Sequence, residues 1–356
     1  MIEIKNVTKT FNAGTASEHK AIDDLSLTLN EGDFITVIGS NGAGKSTLLN
    51  IISGSIEADK GLILLNGTDV SKLKEHKRAP YFGHVFQDPV KGTATDMTVI
   101  ENLALARGRG KMRSLFRWSI RSGDKKFYEE QLKSLGLGLE NRLNQKVGLL
   151  SGGQRQSITL LMATISQKPS FKRIRKDYVK FSPNRRNEAK QEVEEAYKNG
   201  LNEYKLAKKN NSLELKSLLK SASSIEEKKE LRRNKRQKNK EAYEVFDRKM
   251  REYDVTKPVL LLDEHTAALD PKTAAKVLEI TDQIVKEQHL TTIMITHNMN
   301  DAIKYGNRLI MMSKGKIAVD ISGEEKQNLT ISDLLDMFTK ASENDVISDS
   351  AILGWN

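Results

Sequence analysis

Cysteine does not occur anywhere in the 356-residue chain. This absence excludes a disulfide framework and a thiolate metal site. No stretch approaches the ~20 consecutive apolar residues that a membrane-spanning helix requires. Residues 1–5 resemble a strand and lack the apolar segment of a signal peptide. We therefore expect a soluble chain that is not exported, and any role at a membrane would require a partner.

The net charge of +11 comes from one segment of the chain. Residues 170–258 contain 26 Lys and Arg against 15 Asp and Glu, whereas the remainder contains 32 of each sign. Their aliphatic residues are scattered, without a sustained heptad. This composition predicts a basic insert that is either a helical hairpin or partly disordered. Residues 1–169 and 259–340 then form the main domain, and residues 341–356 form a C-terminal tail.

Hydrophobic patterns outside the insert alternate between strands and helices. We predict strands at 2–7, 25–29, 34–38, 62–65, 81–86, 259–262 and 292–295. We predict helices that begin at Lys45 or span 99–106, 125–135, 154–165 and 272–287. Apolar strands separated by helices indicate an α/β fold with a mostly parallel sheet that is covered on both faces.

A phosphate-binding loop follows the predicted strand 34–38. The sequence fits the pattern G-x-x-x-x-G-K-[ST], and the candidate ligands are Gly39, Ser40, Asn41, Gly42, Ala43, Gly44, Lys45, Ser46 and Thr47. The glycines let backbone N–H groups turn inward around a β-phosphate at a helix N-terminus. Lys45 would contact the β- and γ-phosphates, and the Ser46 hydroxyl would bind Mg²⁺. The alternative is a glycine-rich turn that binds nothing.

Two acidic residues follow the apolar strand 259–262. Asp263 and Glu264 would emerge at the carboxyl edge of the sheet, where a phosphate loop needs a carboxylate for its Mg²⁺. We expect Asp263 to face the metal-bound water and Glu264 to polarise the water that attacks ATP. The alternative is an ordinary strand that ends in solvated acids, which the neighbouring phosphate loop disfavours.

A third motif, at residues 150–154, resembles the signature of ABC ATPases. It reads Leu-Ser-Gly-Gly-Gln, and the residues that would bind nucleotide are Ser151, Gly152, Gly153 and Gln154. The motif opens a predicted helix, so it provides a second anion site. In ABC ATPases this signature faces the ATP that the opposite subunit holds, so the resemblance implies a homodimer.

Four single residues strengthen the resemblance to the ABC family. Gln87 resembles the Q-loop glutamine, which senses Mg²⁺ and water, and His297 resembles the switch histidine that contacts the γ-phosphate. Asp270 lies in a segment that resembles the D-loop, and Phe11 lies where the family places an aromatic residue on adenine. A structural role is the alternative for Phe11 or His297 taken singly.

The resemblance covers residues 1–169 and 259–340. It implies a P-loop ATPase with an antiparallel β subdomain and a helical signature lobe at about 88–165, using ATP and Mg²⁺. It further implies an integral membrane permease as partner, at the cytoplasmic face of a bacterial membrane. Residues 149–156, 160–164 and 263–273 resemble an importer subgroup that works with an extracytoplasmic solute-binding protein. Aromatic amino acids are among the cargo that this subgroup suggests.

The insert departs from the family pattern and leaves alternatives open. A basic segment could bind a phosphate backbone, which would suit an ABC ATPase that acts on nucleic acid. The chain contains only one cassette, however, and the insert follows the signature, so we expect no nucleic-acid partner. A second alternative is an ATP-gated clamp for cell-envelope complexes. The insert itself is interpreted as a tolerated surface excursion or as a docking or regulatory arm.

Overall fold

The computed structural model describes residues 1–108, 122–165, 178–179, 186–251 and 258–341. The chain divides into two compact units. The first contains Met1–Leu65, Asp69–Gln167 and Lys257–Asn356, and we call it the cassette. The second contains Asn66–Thr68 and Lys168–Thr256. Each unit is described separately.

Ten strands occur within the described ranges, and most match the predicted positions to within a few residues. They are β1 (Ile2–Phe11), β2 (His19–Leu29), β3 (Phe34–Gly39), β4 (Lys60–Leu65), β5 (Thr68–Asp69), β6 (Phe82–Val85), β7 (Val259–Asp263), β8 (Thr292–Ile295), β9 (Arg308–Ser313) and β10 (Lys316–Ser322).

The described residues also form eleven α-helices. They are α1 (Lys45–Ser53), α2 (Glu75–Arg78), α3 (Val99–Arg107), α4 (Ser122–Lys133), α5 (Gly152–Thr164), α6 (Arg186–Ser221), α7 (Ile225–Arg251), α8 (Pro271–Gln288), α9 (Met299–Lys304), α10 (Gly323–Gln327) and α11 (Ile331–Ala341). No helix in these ranges has an apolar stretch of the length that a bilayer crossing needs.

A six-stranded sheet forms the centre of the cassette, in the order β10-β9-β3-β8-β7-β6. The pairs from β9 to β6 are parallel, and only β10 runs antiparallel to β9. All residues of β3 and β8 are buried, as expected for strands that are covered on both faces. The predicted mostly parallel sheet is confirmed, and the carboxyl ends of β3 and β7 meet at one edge.

A second sheet contains β2, β1 and β4, which pair antiparallel in that order. The strands predicted at 2–7, 25–29 and 62–65 belong to this antiparallel sheet. Burial alternates along the second half of β2, which is typical of a sheet with one solvated face. The antiparallel subdomain implied by the family resemblance is confirmed.

Helices α3, α4 and α5 share one hydrophobic core with the strands of the large sheet. Leu103 of α3, Leu132 of α4 and Ile158 of α5 are fully buried in this cluster, together with Val85 and Leu260 of the sheet. Helix α3 begins at a capping box in which Thr98 and Glu101 bond each other's backbone, which satisfies two free N–H groups. This shared core fixes the signature helix α5 against the sheet.

The second unit contains a long helical hairpin, so the insert is helical throughout residues 186–251, apart from a short turn. Ala222, Ser223 and Ser224 join α6 to α7. The inward-facing positions recur every three or four residues, as in a coiled coil. They are Val193, Tyr197, Gly200, Tyr204, Ala207, Asn211, Leu215 and Leu219 on α6, and Leu231, Lys235, Asn239, Ala242, Phe246 and Met250 on α7.

Polar contacts fix the register of the hairpin. Asn211 donates a hydrogen bond from Nδ2 to Asn239 Oδ1 at 3.0 Å, within the seam between the helices. Lys238 lies 2.6 Å from Glu214 across the same hairpin. A buried Asn pair is a known device for specifying coiled-coil register. The heptad was not evident in the sequence because Gly, Ala, Asn and Lys occupy seam positions where aliphatic residues are expected.

Candidate functional site

The phosphate loop connects β3 to α1 at the carboxyl edge of the large sheet. Gly44 precedes α1 with φ of 97°, and a Cβ at this position would lie 2.3 Å from the carbonyl oxygen of Ala21. Both the backbone conformation and the close approach require glycine. Ser40, Asn41 and Gly42 remain exposed. The loop is therefore an accessible turn before a helix N-terminus, where an anion is favoured.

Lys45 is held inside the loop. Its side chain is buried, and its Nζ donates hydrogen bonds to the carbonyl oxygens of Gly39 at 2.8 Å and Ser40 at 3.0 Å. Desolvation lowers the pKa of Lys45, and the nearby carboxylates of Glu264 and Asp263 partly oppose this effect. The ammonium group is thus positioned by carbonyls and faces two acids, as a phosphate-binding cation should be.

Asp263 lies at the end of β7 beside the phosphate loop. The Ser46 hydroxyl donates a hydrogen bond to Asp263 Oδ1 at 3.0 Å. Burial raises the pKa of Asp263, and the hydrogen bond from Ser46 opposes this increase. The structure thus places next to each other two oxygen-bearing side chains that the sequence suggests for Mg²⁺ and its bound water.

Glu264 and His297 form a close pair next to Asp263. Nε2 of His297 lies 2.5 Å from Oε1 of Glu264. This hydrogen bond is the main cause of a lowered Glu264 pKa, which burial partly opposes. The backbone of Glu264 has φ of 45°, a left-handed conformation that is uncommon for a non-glycine residue. The carboxylate therefore remains ionised at neutral pH and is held by an adjacent imidazole.

A cavity of about 330 Å³ opens between the Q-loop and the strand that carries the acids. Gln87 and Asp263 both line it, as the prediction that both approach the same metal requires. Lys91 also lines this cavity, and the sequence analysis did not identify it. A lysine two residues after Pro89 belongs to no recognisable motif, so its place beside the cavity is evident only from the folded loop.

The signature residues cap helix α5. The Ser151 hydroxyl accepts a hydrogen bond from the Gln154 N–H at 3.3 Å, and the Gln154 side chain accepts one from the Ser151 N–H at 3.3 Å. Ser151, Gly152 and Gln154 retain solvent exposure. No hydrogen bond or ion pair joins the signature to the phosphate loop within the described residues. The two predicted anion sites of one chain therefore make no direct polar contact with each other in the part of the chain that the structure describes.

Gly153 packs against the helix that follows the D-loop. A Cβ at Gly153 would lie 2.1 Å from Cγ2 of Thr273, and a Cβ at Gly152 would lie 3.2 Å from Leu269. Asp270 caps this helix, α8, by accepting a hydrogen bond from the Thr273 N–H at 3.1 Å. The predicted signature and D-loop residues are thus direct neighbours.

Phe11 lies at the end of β1, apart from the buried core. Its ring is partly exposed, and Nζ of Lys9 lies 5.7 Å from the ring centroid. A partly exposed aromatic face remains available for stacking. The predicted contact of Phe11 with adenine stays a prediction.

The sequence analysis missed Gln156, which joins the signature helix to the Q-loop. Gln156 is fully buried, and its Nε2 donates a hydrogen bond to the carbonyl oxygen of Phe86 at 3.3 Å. Phe86 directly precedes Gln87. An amide among the apolar residues of α5 was the available signal, because buried polar side chains need a partner.

The oxygen donors beside the loop fit a magnesium ion. The described residues contain no cluster of three or more His, Cys, Asp or Glu with metal-ligand geometry. Mg²⁺ commonly binds through one or two protein oxygens together with substrate phosphates. Ser46 and Asp263, 3.0 Å apart, and the amide of Gln87 in the adjoining cavity provide such a set.

A phosphate loop, an Asp beside it and a Glu–His pair at one sheet edge define a P-loop nucleoside triphosphatase. A family model described as ABC transporter matches residues 22–171. The tyrosine transport ATP-binding protein of Clostridioides difficile is 35% identical over 96% of this chain and 100% of its own length. The chain belongs to the family of ABC transporter ATP-binding proteins and is an ATPase.

More distant relatives agree with this assignment. The phosphonates import ATP-binding protein of Lactococcus lactis is 25% identical over 91% of this chain and 94% of its own length. A solved dimeric ATP-binding cassette, in a post-hydrolysis state with ADP and Pi, is 22% identical with a TM-score of 0.55. The match covers 90% of this chain and 98% of that cassette, and it supports the fold.

Proposed function

We propose that two copies of this chain enclose ATP between them and thereby power an importer. The phosphate loop of one subunit would hold ATP through Lys45 and Ser46, and Ser151 and Gly153 of the partner subunit would close over it. Among the described residues no hydrogen bond or ion pair joins the signature to the phosphate loop of the same chain, which is consistent with each chain contributing one of the two sites to a shared nucleotide. Asp270 then lies at the interface, with Phe11 on the adenine.

The catalytic chemistry in this proposal belongs to Glu264 and His297. Glu264 is ionised and held by His297, so it accepts a hydrogen bond from the attacking water and orients it towards the γ-phosphate. His297 and Lys45 stabilise charge on the phosphate oxygens. Bound Mg²⁺ would supply further charge neutralisation, held by Ser46, Asp263 and Gln87. Phosphoryl transfer depends mainly on such positioning and electrostatics.

The hydrolytic cycle would drive a membrane permease. ATP binding closes the dimer and hydrolysis reopens it, because ATP binds the closed state with higher affinity. The lobe at about 88–165 would receive the permease at the cytoplasmic face of the membrane. Ser151 caps its helix α5 and Gln156 lies within that helix, so closure on ATP can move the Q-loop together with the signature.

We further propose that the cargo is an aromatic amino acid, delivered by an extracytoplasmic solute-binding protein. The supporting observation is the 35% identity to a tyrosine transport ATP-binding protein along its entire length. The phosphonate relative is an import ATP-binding protein, which is consistent with inward transport.

Uptake measurements test this proposal. Cells that lack the gene would be complemented with the wild type or with Lys45→Ala, and uptake of labelled tyrosine, phenylalanine and tryptophan would be measured. We expect the wild type alone to restore uptake, with at least a roughly tenfold difference from Lys45→Ala. Uptake of a phosphonate is the control and should not change. If aromatic uptake is unaffected while purified protein still hydrolyses ATP, the cargo assignment fails and the ATPase assignment stands.

A further inference from the structure

Charge is segregated along the helical hairpin. We define the hairpin end as residues 205–240 and the hairpin base as residues 186–204 and 241–251. The hairpin end contains 13 Lys and Arg against four Glu, whereas the hairpin base contains six basic and eight acidic residues. Most of the net positive charge of the whole chain therefore lies in 36 consecutive residues at the turn of the hairpin.

Eight of the 13 basic residues of the hairpin end form two stripes, one on each helix. On α6, the lysines at 205, 209, 216 and 220 recur at spacings of four, seven and four. On α7, the basic residues at 229, 233, 236 and 240 recur at spacings of four, three and four. Such spacings place side chains on one face of a helix. All eight side chains are exposed, and only Lys240 approaches a carboxylate, that of Glu244 at 3.8 Å, among the described residues.

Glu214, the acid that α6 contributes to the hairpin end, is turned away from the α6 stripe, and the other three acids lie near the start of α7. Glu214 is nine residues beyond Lys205, which is half a helical turn out of phase with the α6 stripe. It pairs instead with Lys238 across the hairpin. Apart from the contact between Lys240 and Glu244, the stripe residues form no ion pair among the described residues, and this excess of positive charge favours the binding of an external polyanion.

Exposed aliphatic residues accompany the stripes. Leu206 and Leu213, seven residues apart, adjoin the α6 stripe and are 59% and 54% exposed. Ile225, four residues before Lys229, extends the α7 stripe and is 74% exposed. Basic residues next to exposed aliphatic residues characterise helices that lie at a membrane interface. They match both the charge of anionic headgroups and the apolar layer beneath them.

Aromatic residues are absent from the hairpin end. The hairpin base has them instead, and Tyr204, Tyr243 and Phe246 pack against one another there. A single-stranded nucleic acid is usually held by stacking of its bases on aromatic side chains, which the hairpin end cannot offer. Exposed leucines also have no counterpart on a phosphate backbone.

We propose that the hairpin end is a docking surface for anionic lipid, a peripheral membrane contact in addition to the permease. The lysine and arginine stripes bind headgroup phosphates, and Leu206, Leu213 and Ile225 enter the interfacial layer. This proposal does not depend on the cargo. It requires only the full chain and a bilayer, so its failure and that of the transport proposal are distinguishable.

Vesicle binding by the full-length protein tests the proposal. The probes are phosphatidylcholine vesicles with and without about 30% phosphatidylglycerol. We expect binding only to the anionic vesicles, weakened by salt. The stripe variant K205Q/K209Q/K216Q/K220Q should bind at least roughly tenfold more weakly, and the aliphatic variant L206S/L213S/I225S should also lose affinity.

The matched control removes the same charge from the cassette. Its variant, K60Q/K72Q/K74Q/K77Q, also replaces four exposed lysines, and we expect its vesicle binding to stay within about twofold of the wild type. Circular dichroism of each variant establishes that the helices are retained. Equal losses in the stripe and control variants, or binding that ignores lipid charge, would overturn the proposal. Stripe-dependent binding of an RNA oligonucleotide without vesicle binding would assign the surface to nucleic acid instead.

Discussion

At the residue scale, Glu264 has a strained backbone conformation, whereas its carboxylate is stabilised by a neighbouring imidazole. Its φ of 45° is uncommon for a side chain with a Cβ, and such conformations cost on the order of 1 kcal/mol or more. The conformation directs its carboxylate to His297. The sequence predicted both residues because motifs identify them. It could not predict their 2.5 Å separation, which depends on β7 and β8 being neighbours in the sheet.

Replacement of Glu264 by Gln tests the proposed role of its charge. Gln keeps the size of the side chain but cannot accept the water proton, so we expect the rate of ATP hydrolysis to fall by about 10³-fold. ATP binding should persist, and an ATP-bound dimer should accumulate in size-exclusion chromatography. Glu279→Gln, on the exposed surface of α8, is the control. Hydrolysis at the parental rate in E264Q would remove Glu264 from the catalytic assignment.

His84 provides a second prediction at this scale, concerning stability and pH. Both ring nitrogens are buried without a hydrogen-bond partner among the described residues, and the ring lies 4.2 Å from that of Phe86. Desolvation lowers the pKa of His84 from 6.5 to about 4. The unfolded chain therefore binds a proton more readily than the folded chain between these values, so stability falls as the pH decreases from 6.5 towards 4.

The His84→Phe variant should remove part of that dependence. We expect acidification from pH 7 to pH 5 to lower the melting temperature less in His84→Phe than in the wild type. The lowered pKa of His84 corresponds to a loss of at most about 3 kcal/mol in the free energy of unfolding once this residue is fully protonated. His76→Gln, which alters an exposed histidine, should behave like the wild type. Identical pH profiles for H84F and the wild type would contradict the prediction.

At the element scale, the close contact between α5 and α8 explains why glycine is required at position 153. A Cβ would lie 2.1 Å from Thr273 Cγ2, so the Thr273 side chain or one of the two helices would have to shift. Gly153→Ala should therefore destabilise the cassette by about 1–3 kcal/mol, measured as a lower melting temperature. Thr273→Ser removes the conflicting methyl group and retains the hydroxyl, so the double variant should recover most of the loss. A double variant as unstable as G153A would exclude this contact as the cause.

The sequence predicted the elements with the clearest periodicity most reliably. Strand β8 matches its predicted span of 292–295, and α8 differs by one residue at each end. Strand β10 was not predicted, because it alternates between half-buried and exposed residues and resembles a polar surface segment. Strand β9 was also not predicted, although its four central residues are buried. The pairing of β1 with β2 and β4 was also not derivable from periodicity, since pairing depends on contacts distant in sequence.

At the scale of the whole molecule, the proposed ATPase needs two chains. Lys45→Ala would disable the phosphate loop and Ser151→Arg the signature, so each homodimer should be inactive. In a mixed dimer one site receives both defects, and the other receives none. Random mixing of equal amounts should therefore restore about a quarter of the wild-type ATPase activity. Absence of recovery, with dimer exchange verified by labelled subunits, would contradict a shared site.

The composition of the chain predicted a basic insert, and the structure contains a second compact unit at that place. Counting charges could locate this segment but could not reveal how its charge is arranged. The stripes and the separation of hairpin end from hairpin base appear only when α6 and α7 are aligned by the Asn211–Asn239 pair and by the turn at residues 222–224. Net charge can be counted from the sequence, but the face of a helix on which each side chain lies can be assigned only when the limits of that helix are known.

The left-handed backbone at Glu264 has a consequence for directed evolution. Glycine or asparagine accepts this conformation at lower cost than glutamate, so heat tolerance and turnover favour different amino acids at a single codon. A mutant library that is selected only for folding at elevated temperature should accumulate substitutions at position 264 that abolish ATP hydrolysis. Any thermostabilisation campaign would need a hydrolysis screen in every round to keep its survivors useful.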